Sequence, residues 1–284
     1  MNRLTHRFSY TSKGYIMAWL TRSYCSRILT VALALGLAVE LPATVQAQLT
    51  TASLGAQLPE TWEFQAPSGP DAPLPVNREA GGKREIADAL PCVMSDQRLT
   101  AIVPSSGLGT TVAEYPTVFW YMPKTRASGV ELVLTDTKNR EIYSVNYALD
   151  KSGDGTAPAG IMSLPLPALA NFSPLKIGQN YRWQLALVCD ANARDKDVVA
   201  SGWIQRVSPS PNLAMRVKQA TPQERVTIYA NERLWYETLI TLNQLRRDLP
   251  KDRDLEDAWK KLLKSVGLDK IAQENSGDKI VAVP

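Results

Sequence analysis

A change in hydrophobic periodicity along the chain limits the folds that it can adopt. Between residues 92 and 207, apolar and polar residues alternate in short runs separated by Gly, Pro, Asn or Asp, which is typical of β-strands. From residue 221 onward, the apolar residues recur at the three- and four-residue spacing of amphipathic helices. The sequence therefore predicts an α+β protein, mainly β, in which a strand region precedes a helical region.

Seven strands are predicted in the first region. They lie at 99–103, 117–122, 130–135, 141–147, 161–164, 181–189 and 198–207. The alternation is clearest in the sixth run, where Trp183, Leu185, Leu187 and Cys189 fall on one face. Since no helical pattern interrupts these runs, we expect residues 91–210 to form a seven-stranded antiparallel β-sandwich of the immunoglobulin or fibronectin type III kind.

Three short helices are predicted in the second region. The first begins with the sequence Thr-Pro-Gln-Glu at Thr221, which has the composition of a capping box. The second covers 234–247 and the third covers 255–266, each with an apolar stripe at helical spacing. We expect residues 221–272 to form a small tetratricopeptide-like helical hairpin domain, followed by a flexible tail at 273–284.

The first 47 residues have the layout of a secretion signal. Arg22 and Arg27 precede an apolar run at 28–39. This run is shorter than the roughly 20 residues that a membrane-spanning helix needs. A proline and the small-residue motif at 45–47 follow, as at a cleavage site. We therefore expect an exported protein, periplasmic, associated with the outer membrane or extracellular, with no transmembrane helix in its mature form. An N-terminal membrane anchor is the alternative.

Residues 48–90 are rich in proline and glycine and contain few large apolar residues. Such a segment cannot bury enough apolar surface to offset the entropy lost on ordering it. We therefore expect a disordered tether between the cleavage site and the strand region. Trp62 and Phe64 are exceptions, and we expect these two side chains to dock either on a partner or on the protein itself.

Removal of the leader changes the charge of the chain. Five of the 32 basic and one of the 28 acidic side chains lie in residues 1–47, so the remainder carries 27 of each. The formal charge of +4 therefore belongs to the leader, and no basic surface for nucleic acid is expected. The leader also contains the single histidine, His6, so histidine-dependent relays and histidine-ligated zinc are excluded from the mature chain.

Two cysteines remain after residue 47, Cys92 and Cys189. An even number of cysteines in an oxidising compartment favours a disulfide, although two separate buried thiols are the alternative. The cross-link would close a loop of 97 residues, for which the loop-entropy model gives a stabilisation of about 4–5 kcal/mol.

One loop has oxygen-bearing side chains at the spacing of a calcium site. Asp150, Ser152 and Asp154 occupy the first, third and fifth loop positions, with Gly155 in the turn position. The twelfth position, where a bidentate Glu would complete the coordination shell, is Ile161. Because loops of Asp, Ser and Gly between strands are common without any ion, we expect no cofactor, with calcium at this loop as the alternative. A second acidic loop with the same possible role follows the strand that ends at Cys189; its polar members are Asp190, Asn192, Asp195 and Asp197.

Other chemistry is harder to locate from the sequence. Paired carboxylates for sugar hydrolysis can lie far apart along a chain, and no pair stands out here, so no catalytic residue is assigned. The aromatic residues of the strand region favour core packing, with a sugar- or peptide-binding face as the alternative. They are Trp120, Tyr121, Tyr143, Tyr147, Trp183 and Trp203.

Several blocks of the sequence occur in the same order in one known family. They lie at 99–104, 116–123, 160–165, 181–183, 202–207, 234–239 and 259–268. On these residues the chain resembles the mainly cyanobacterial secreted family catalogued as domain of unknown function 928, over roughly residues 80–272. The resemblance implies a Gram-negative exported protein with a strand domain and a helical tail, and it carries over no activity.

The sequence leads to one principal hypothesis and two alternatives. We expect an exported, non-enzymatic binding or adaptor module of the cell envelope or exterior, with a protein partner first and a polysaccharide second. The first alternative is a carboxylate-dependent hydrolase that acts on cell-wall or extracellular polysaccharide. The second is a structural module stabilised by calcium.

Overall fold

A computed structural model describes residues 58–64, 77–80, 92–169 and 172–273. The predicted signal peptide, the rest of the predicted tether and the predicted tail beyond residue 273 lie outside the described residues. Within the described part, strands come first and helices follow, so the protein is α+β as the periodicity predicts.

Among the described residues, eight strands form in the strand region. They are β1 (Thr100–Ala101), β2 (Leu108–Thr111), β3 (Thr117–Met122), β4 (Gly129–Asp136), β5 (Glu141–Ala148), β6 (Gly160–Pro165), β7 (Asn180–Val188) and β8 (Val198–Arg206). Every predicted strand is present, but the predicted number of seven is wrong. The additional strand is β2, whose sequence Leu-Gly-Thr-Thr is too short and too irregular to show alternation.

The strands are divided between two sheets. One sheet has the order β1-β3-β6, and the other has the order β2-β8-β7-β4-β5. All pairings are antiparallel except β2 with β8, which is parallel, so the expectation of purely antiparallel strands is wrong at this pair. Between β1 and β2 the chain passes from one sheet to the other at a turn, where Gly107 has a φ of 80°. A parallel pair between strands so distant in sequence leaves no local signal.

The interior follows the alternation of the central strands. Leu132 and Leu134 of β4 lie opposite Leu185 and Trp183 of β7, and all four side chains are fully buried. Residues between them on these strands are only partly buried, because successive side chains point to opposite faces. Both sheets contribute residues to the same hydrophobic core.

Five helices follow the strands. They are α1 (Leu213–Gln219), α2 (Pro222–Asn231), α3 (Trp235–Asp248), α4 (Arg253–Ser265) and α5 (Asp269–Ala272). The three predicted helices correspond to α2, α3 and α4. The capping box forms, since Thr221 accepts a hydrogen bond from the Glu224 backbone and the Glu224 side chain accepts one from Thr221. None of these five helices combines the length and hydrophobicity that a membrane span requires.

Helix α3 packs directly on the strands. The indole of Trp235 is fully buried and donates a hydrogen bond to the carbonyl of Ile102 at 3.2 Å. The hydroxyl of Tyr236 accepts a hydrogen bond from the Trp183 indole at 3.2 Å and donates one to the carbonyl of Trp203 at 3.1 Å. The helices and the sheets therefore share a single core, which two separate patterns in the sequence do not show.

Two pieces of the predicted tether contact this core. Trp62 is buried, and Phe64 lies edge-on to Trp235 with ring centroids 4.9 Å apart, so these aromatic residues dock on the protein itself. Arg78 donates hydrogen bonds to the carbonyls of Val266 and Gly267 at the end of α4, at 2.7 and 3.0 Å. The prediction of disorder is therefore wrong for 58–64 and 77–80, where a few apolar and charged groups find specific contacts.

The predicted disulfide joins the start of the strand region to the end of β7. Cys92 and Cys189 are bonded, with Cα atoms 5.3 Å apart. The carbonyl of Cys92 also accepts hydrogen bonds from the hydroxyl of Thr125 and the backbone of Arg126, both at 2.8 Å. The chain before β1 is thus held to the sheet by covalent and hydrogen bonds.

Candidate binding surface

The predicted calcium loop connects β5 to β6 and is held by its own hydrogen bonds. One carboxylate oxygen of Asp154 accepts from the backbone and the hydroxyl of Thr156, and the other pairs with the Lys124 ammonium at 3.0 Å. Thr156 and Lys124 hold the pKa of Asp154 well below its usual range. Asp150 and Ser152 are exposed. An ammonium group already occupies the Asp154 carboxylate, so these residues fit a calcium ion poorly.

The second acidic loop is also internally paired. Asp197 accepts a hydrogen bond from the Cys189 backbone at 3.3 Å and pairs with Arg194 at 2.6 Å. Arg194 also forms an ion pair with Glu131 of β4. Across the described ranges, no group of three or more His, Cys, Asp or Glu side chains is placed to hold a metal ion.

A carboxyl group that the sequence analysis did not single out, Glu237 of α3, is buried between the helix and the end of β2. Its Oε1 atom accepts hydrogen bonds from the Thr111 hydroxyl at 2.6 Å and from the backbones of Val112 and Ala113 at 2.9 and 3.1 Å. Burial raises the pKa of Glu237, and its Oε2 atom is buried without a hydrogen-bond partner.

The surroundings of Glu237 suit an anchor rather than a catalytic pair. Hydrolysis of glycosides usually requires two carboxyl groups on either side of the bond that breaks. The hydrogen-bond partners of Glu237 are instead one hydroxyl and two backbone amides, which join α3 to the chain after β2. Glu237 lies in the first turn of α3, where acidic residues are common, so no pattern in the sequence distinguishes it.

Four aromatic side chains form a continuous cluster at the opposite end of the same sheet, beside β5. Tyr143 stacks on Phe172 with ring centroids 5.0 Å apart, and Tyr115 meets Phe172 edge-on at 5.5 Å. Tyr147 lies on the same face of β5 as Tyr143 and is close enough to contribute to the raised pKa of the Tyr143 hydroxyl. We call Tyr115, Tyr143, Tyr147 and Phe172 the aromatic edge.

The aromatic edge is only partly covered. Phe172 is buried, whereas the three tyrosines are half-buried, and the neighbouring Leu169 is 48 % exposed. Burial, with a smaller effect of Tyr147, raises the pKa of Tyr143 to about 12, so its hydroxyl stays neutral at physiological pH. The cluster therefore presents neutral rings with hydroxyl groups, which can form apolar contacts and hydrogen bonds at the same time.

Strand β5 carries two of these tyrosines and is the last strand of its sheet. Among the described residues it pairs only with β4. The side chains of Ser144 and Asn146 on its other face are exposed. Alternate backbone amides and carbonyls of such a strand point away from the sheet and can accept another strand. The cluster and the free strand edge thus form one candidate binding surface.

Comparison with family models gives one result. The model described as Domain of Unknown Function (DUF928) matches residues 79–276, well over half of the chain. The chain belongs to this family. The segment matched by DUF928 includes both the aromatic edge and Glu237. A search of curated proteins finds no match.

The sequence located part of this surface. Trp120, Trp183 and Trp203 are buried, in agreement with core packing, whereas Tyr143 and Tyr147 are not. The half-exposed position of these two tyrosines follows from the place of β5 at the end of the sheet, which alternation does not reveal. Tyr115 and Phe172 were missed because they lie in connecting segments.

Proposed function

We propose that this protein is an exported, non-enzymatic binding module of the cell envelope or exterior, and that the aromatic edge is its binding surface. The preferred partner is an envelope or extracellular protein, and a polysaccharide is the second choice. Export itself is proposed from the leader sequence at 1–47, as argued above.

The continuous half-exposed aromatic cluster beside an unpaired strand supports this proposal. Binding surfaces commonly combine a few aromatic anchors with polar groups around them, since large rings supply contact area at low entropic cost. Tyr143 and Tyr147 have this character, and Ser144 and Asn146 supply polar groups on the same strand. An extended segment of a partner protein can add hydrogen bonds to β5, which a polysaccharide cannot do in the same way. This difference favours a protein.

We also propose that the two sheets form a sandwich of the immunoglobulin or fibronectin type III kind. If β1, β3 and β6 are named A, B and E, and β4, β5, β7 and β8 are named C, C′, F and G, the sheets read A-B-E and G-F-C-C′. The parallel strand β2 extends the second sheet beyond G. On this view β5 overhangs the narrower sheet, which explains why its tyrosines are only half covered.

The helical region supports a weaker structural proposal. Helices α2 and α3 pack on each other across a short turn in which Arg233 has a φ of 58°. We propose that they form the tetratricopeptide-like hairpin suggested by the sequence. Because α3 is buried against the sheets, this hairpin serves the fold and does not offer a separate groove.

The alternatives receive less support. A carboxylate-dependent hydrolase would need a second carboxyl group near a reactive one, and the hydrogen-bond partners of Glu237 do not include one. A calcium-stabilised module would need free ligands at Asp154, whose carboxylate is engaged by Thr156 and Lys124.

The test compares a double variant of the aromatic edge with a control variant at an exposed apolar side chain elsewhere. Tyr143→Ala with Tyr147→Ala removes two half-buried rings from the aromatic edge, whereas Met215→Ala removes a side chain that is 54 % exposed, on α1. Each protein is immobilised and exposed to an envelope extract of the source organism and, separately, to its purified polysaccharides. We expect a ligand that binds the wild type and Met215→Ala but not the double variant.

Two results would contradict the proposal. One is a ligand that binds the double tyrosine variant as well as the wild type. The other is hydrolysis of the polysaccharides by the purified protein, abolished by Glu237→Gln. Circular dichroism and thermal unfolding of every variant confirm that the fold is retained.

A further inference from the structure

Strand β5 is self-complementary when it is read about Val145. An antiparallel pairing of two copies around a two-fold axis at this residue places Tyr143 opposite Tyr147 of the second copy. It also places Ser144 opposite Asn146 of the second copy. Each pair occurs twice because the axis relates the two strands.

In this register, the core-facing side chains of one copy lie opposite core-facing side chains of the other, and exposed side chains lie opposite exposed ones. Val145 lies directly opposite Leu132 on β4, and Tyr147 lies opposite Val130, so these β5 residues share the face that points to the core. Ser144 and Asn146 share the other face, where both are exposed. Paired residues of antiparallel strands lie on the same face, so a register shifted by one residue would place a tyrosine opposite Asn146. The register centred on Val145 avoids this conflict and pairs residues 142–148 of the two copies. A register centred on Ser144 pairs as many residues, but it places the charged Glu141 opposite Tyr147.

The charges are compatible with the same pairing. No charged side chain lies between Ile142 and Leu149, so the middle of the strand meets its copy without like-charge repulsion. Arg140 and Asp150, of opposite sign and both exposed, flank the two ends of β5, and Arg140 also pairs with Asp136 of its own chain at 2.7 Å. Antiparallel pairing brings Arg140 of one copy near Asp150 of the other at each end. Natural edge strands often carry a lysine or a proline that prevents pairing, and β5 has neither.

We propose that a second copy of this chain pairs with β5, strand to strand, about a two-fold axis at Val145. The two five-stranded sheets then become one sheet of ten strands. Tyr143 and Tyr147 of the two copies form cross-strand aromatic pairs, which join the two aromatic edges into one surface. The second copy uses the same edge of β5 that an extended segment of another protein would use, so the two compete for it, and the joined aromatic surface is what the dimer leaves for a ligand. The inference goes beyond the proposed function, because self-pairing requires no other molecule.

The test introduces charges at exposed positions of β5. In S144K/N146K the introduced lysines face each other across the two-fold axis twice, whereas in S144K/N146E each introduced lysine faces an introduced glutamate. Both double variants change the same two exposed positions. Because residue 146 lies opposite Glu131 of β4, thermal unfolding of both variants at low protein concentration is measured as the control for the fold of the single copy. Sedimentation velocity over a range of protein concentrations gives the dimer dissociation constant of each variant and of the wild type.

We expect the wild type and S144K/N146E to form dimers and S144K/N146K to dissociate with a dissociation constant at least about tenfold higher, as two like-charge cross-strand pairs require. Hydrogen exchange should show protection of β5 amides that rises with protein concentration in the wild type.

Three outcomes would overturn the self-pairing. They are a wild type that is monomeric at every concentration, a dimer equally stable in both double variants, and a dimer in which the β5 amides gain no protection. These results do not by themselves contradict the proposed function, which is tested by ligand binding. A monomeric wild type that still binds a ligand through Tyr143 and Tyr147 would leave the binding module intact while excluding the second copy from this edge.

Discussion

The two outer strands of the five-stranded sheet differ in how they are covered. At one end, β2 is packed under α3, where Trp235 and Tyr236 are buried and Glu237 bonds to the chain that follows β2. At the other end, β5 has only β4 beside it among the described residues, and its tyrosines are half-buried. Both ends are rich in aromatic side chains.

The difference shows that the same residue types serve two purposes, according to what lies next to them. The rings beside β2 are surrounded by sheet and helix, so removing one would leave a cavity. The rings beside β5 keep one side free, so they contribute less to stability and can contact another molecule. If the aromatic edge binds as proposed, substitutions at the two ends of the sheet will separate stability from binding.

The largest expected effect compares one buried ring with one half-buried ring. Trp235→Ala removes a fully buried side chain and its hydrogen bond to Ile102, and should lower the free energy of unfolding by about 3–5 kcal/mol. Tyr143→Ala removes one stacked contact with Phe172 and should cost about 1 kcal/mol. Urea unfolding followed by tryptophan fluorescence or circular dichroism measures both. Equal losses of unfolding free energy in the two variants would contradict the difference in burial between the two ends of the sheet.

A smaller effect is expected from a single methyl group under α3. A Cβ atom at Gly109 would lie 2.7 Å from the rings of both Trp235 and Tyr236, which is too close for either to stay in place. Gly109→Ala should therefore destabilise the protein by about 1–3 kcal/mol. Gly153→Ala is the matched control, because a Cβ atom there meets nothing within 4 Å. A thermal unfolding midpoint that is the same in both variants would contradict the tight packing of α3 on β2.

The smallest expected effect is a dependence of stability on pH that comes from Glu237, at the end of the sheet covered by α3. Burial raises the pKa of Glu237 in the folded protein, so between the unfolded and folded pKa values the folded state binds more protons. The stability contribution is full below the unfolded pKa of about 4.3 and is lost as the pH rises through the folded pKa. Glu237→Gln removes this titration while it keeps an acceptor oxygen.

The unfolding midpoints of wild type and Glu237→Gln, measured from pH 4 to pH 8, test this sign. The wild type should lose stability relative to the variant as the pH increases. A constant difference would mean that the hydrogen bonds to Oε1 balance the effect of burial on the Glu237 pKa, and a relative gain of wild-type stability with increasing pH would mean that they outweigh it.

Much of the secondary structure could be predicted because its signals are local. The alternation in β7 and the capping box at Thr221 each depend on residues within one element, and both elements form where expected. Strand β2 could not be predicted in this way. Its four residues gain their conformation from pairing with β8 and packing under Trp235, contacts made about 90 or more residues away along the chain.

The candidate site was predictable only in part for the same reason. The aromatic residues of the strand region can be counted in the sequence, but their exposure depends on which strand lies at the end of a sheet. Trp183 and Tyr143 occupy similar alternating positions, yet one is fully buried and the other is half-buried. The predicted calcium loop shows a related difficulty. Its ligand spacing can be recognised in the sequence, but the sequence does not reveal that Lys124, 30 residues before Asp154, pairs with that carboxylate.

The sequence by itself determined the order of strands and helices, the two cysteines available for a disulfide and the absence of histidine after residue 6. These properties depend on composition or on neighbours a few residues apart. Only the tertiary structure decided that β2 pairs in parallel with β8, that α3 packs on one end of the sheet and that β5, among the described residues, pairs with β4 alone. The physical reason is that sheet order and burial are set by contacts between distant segments, whose free energy no local pattern records.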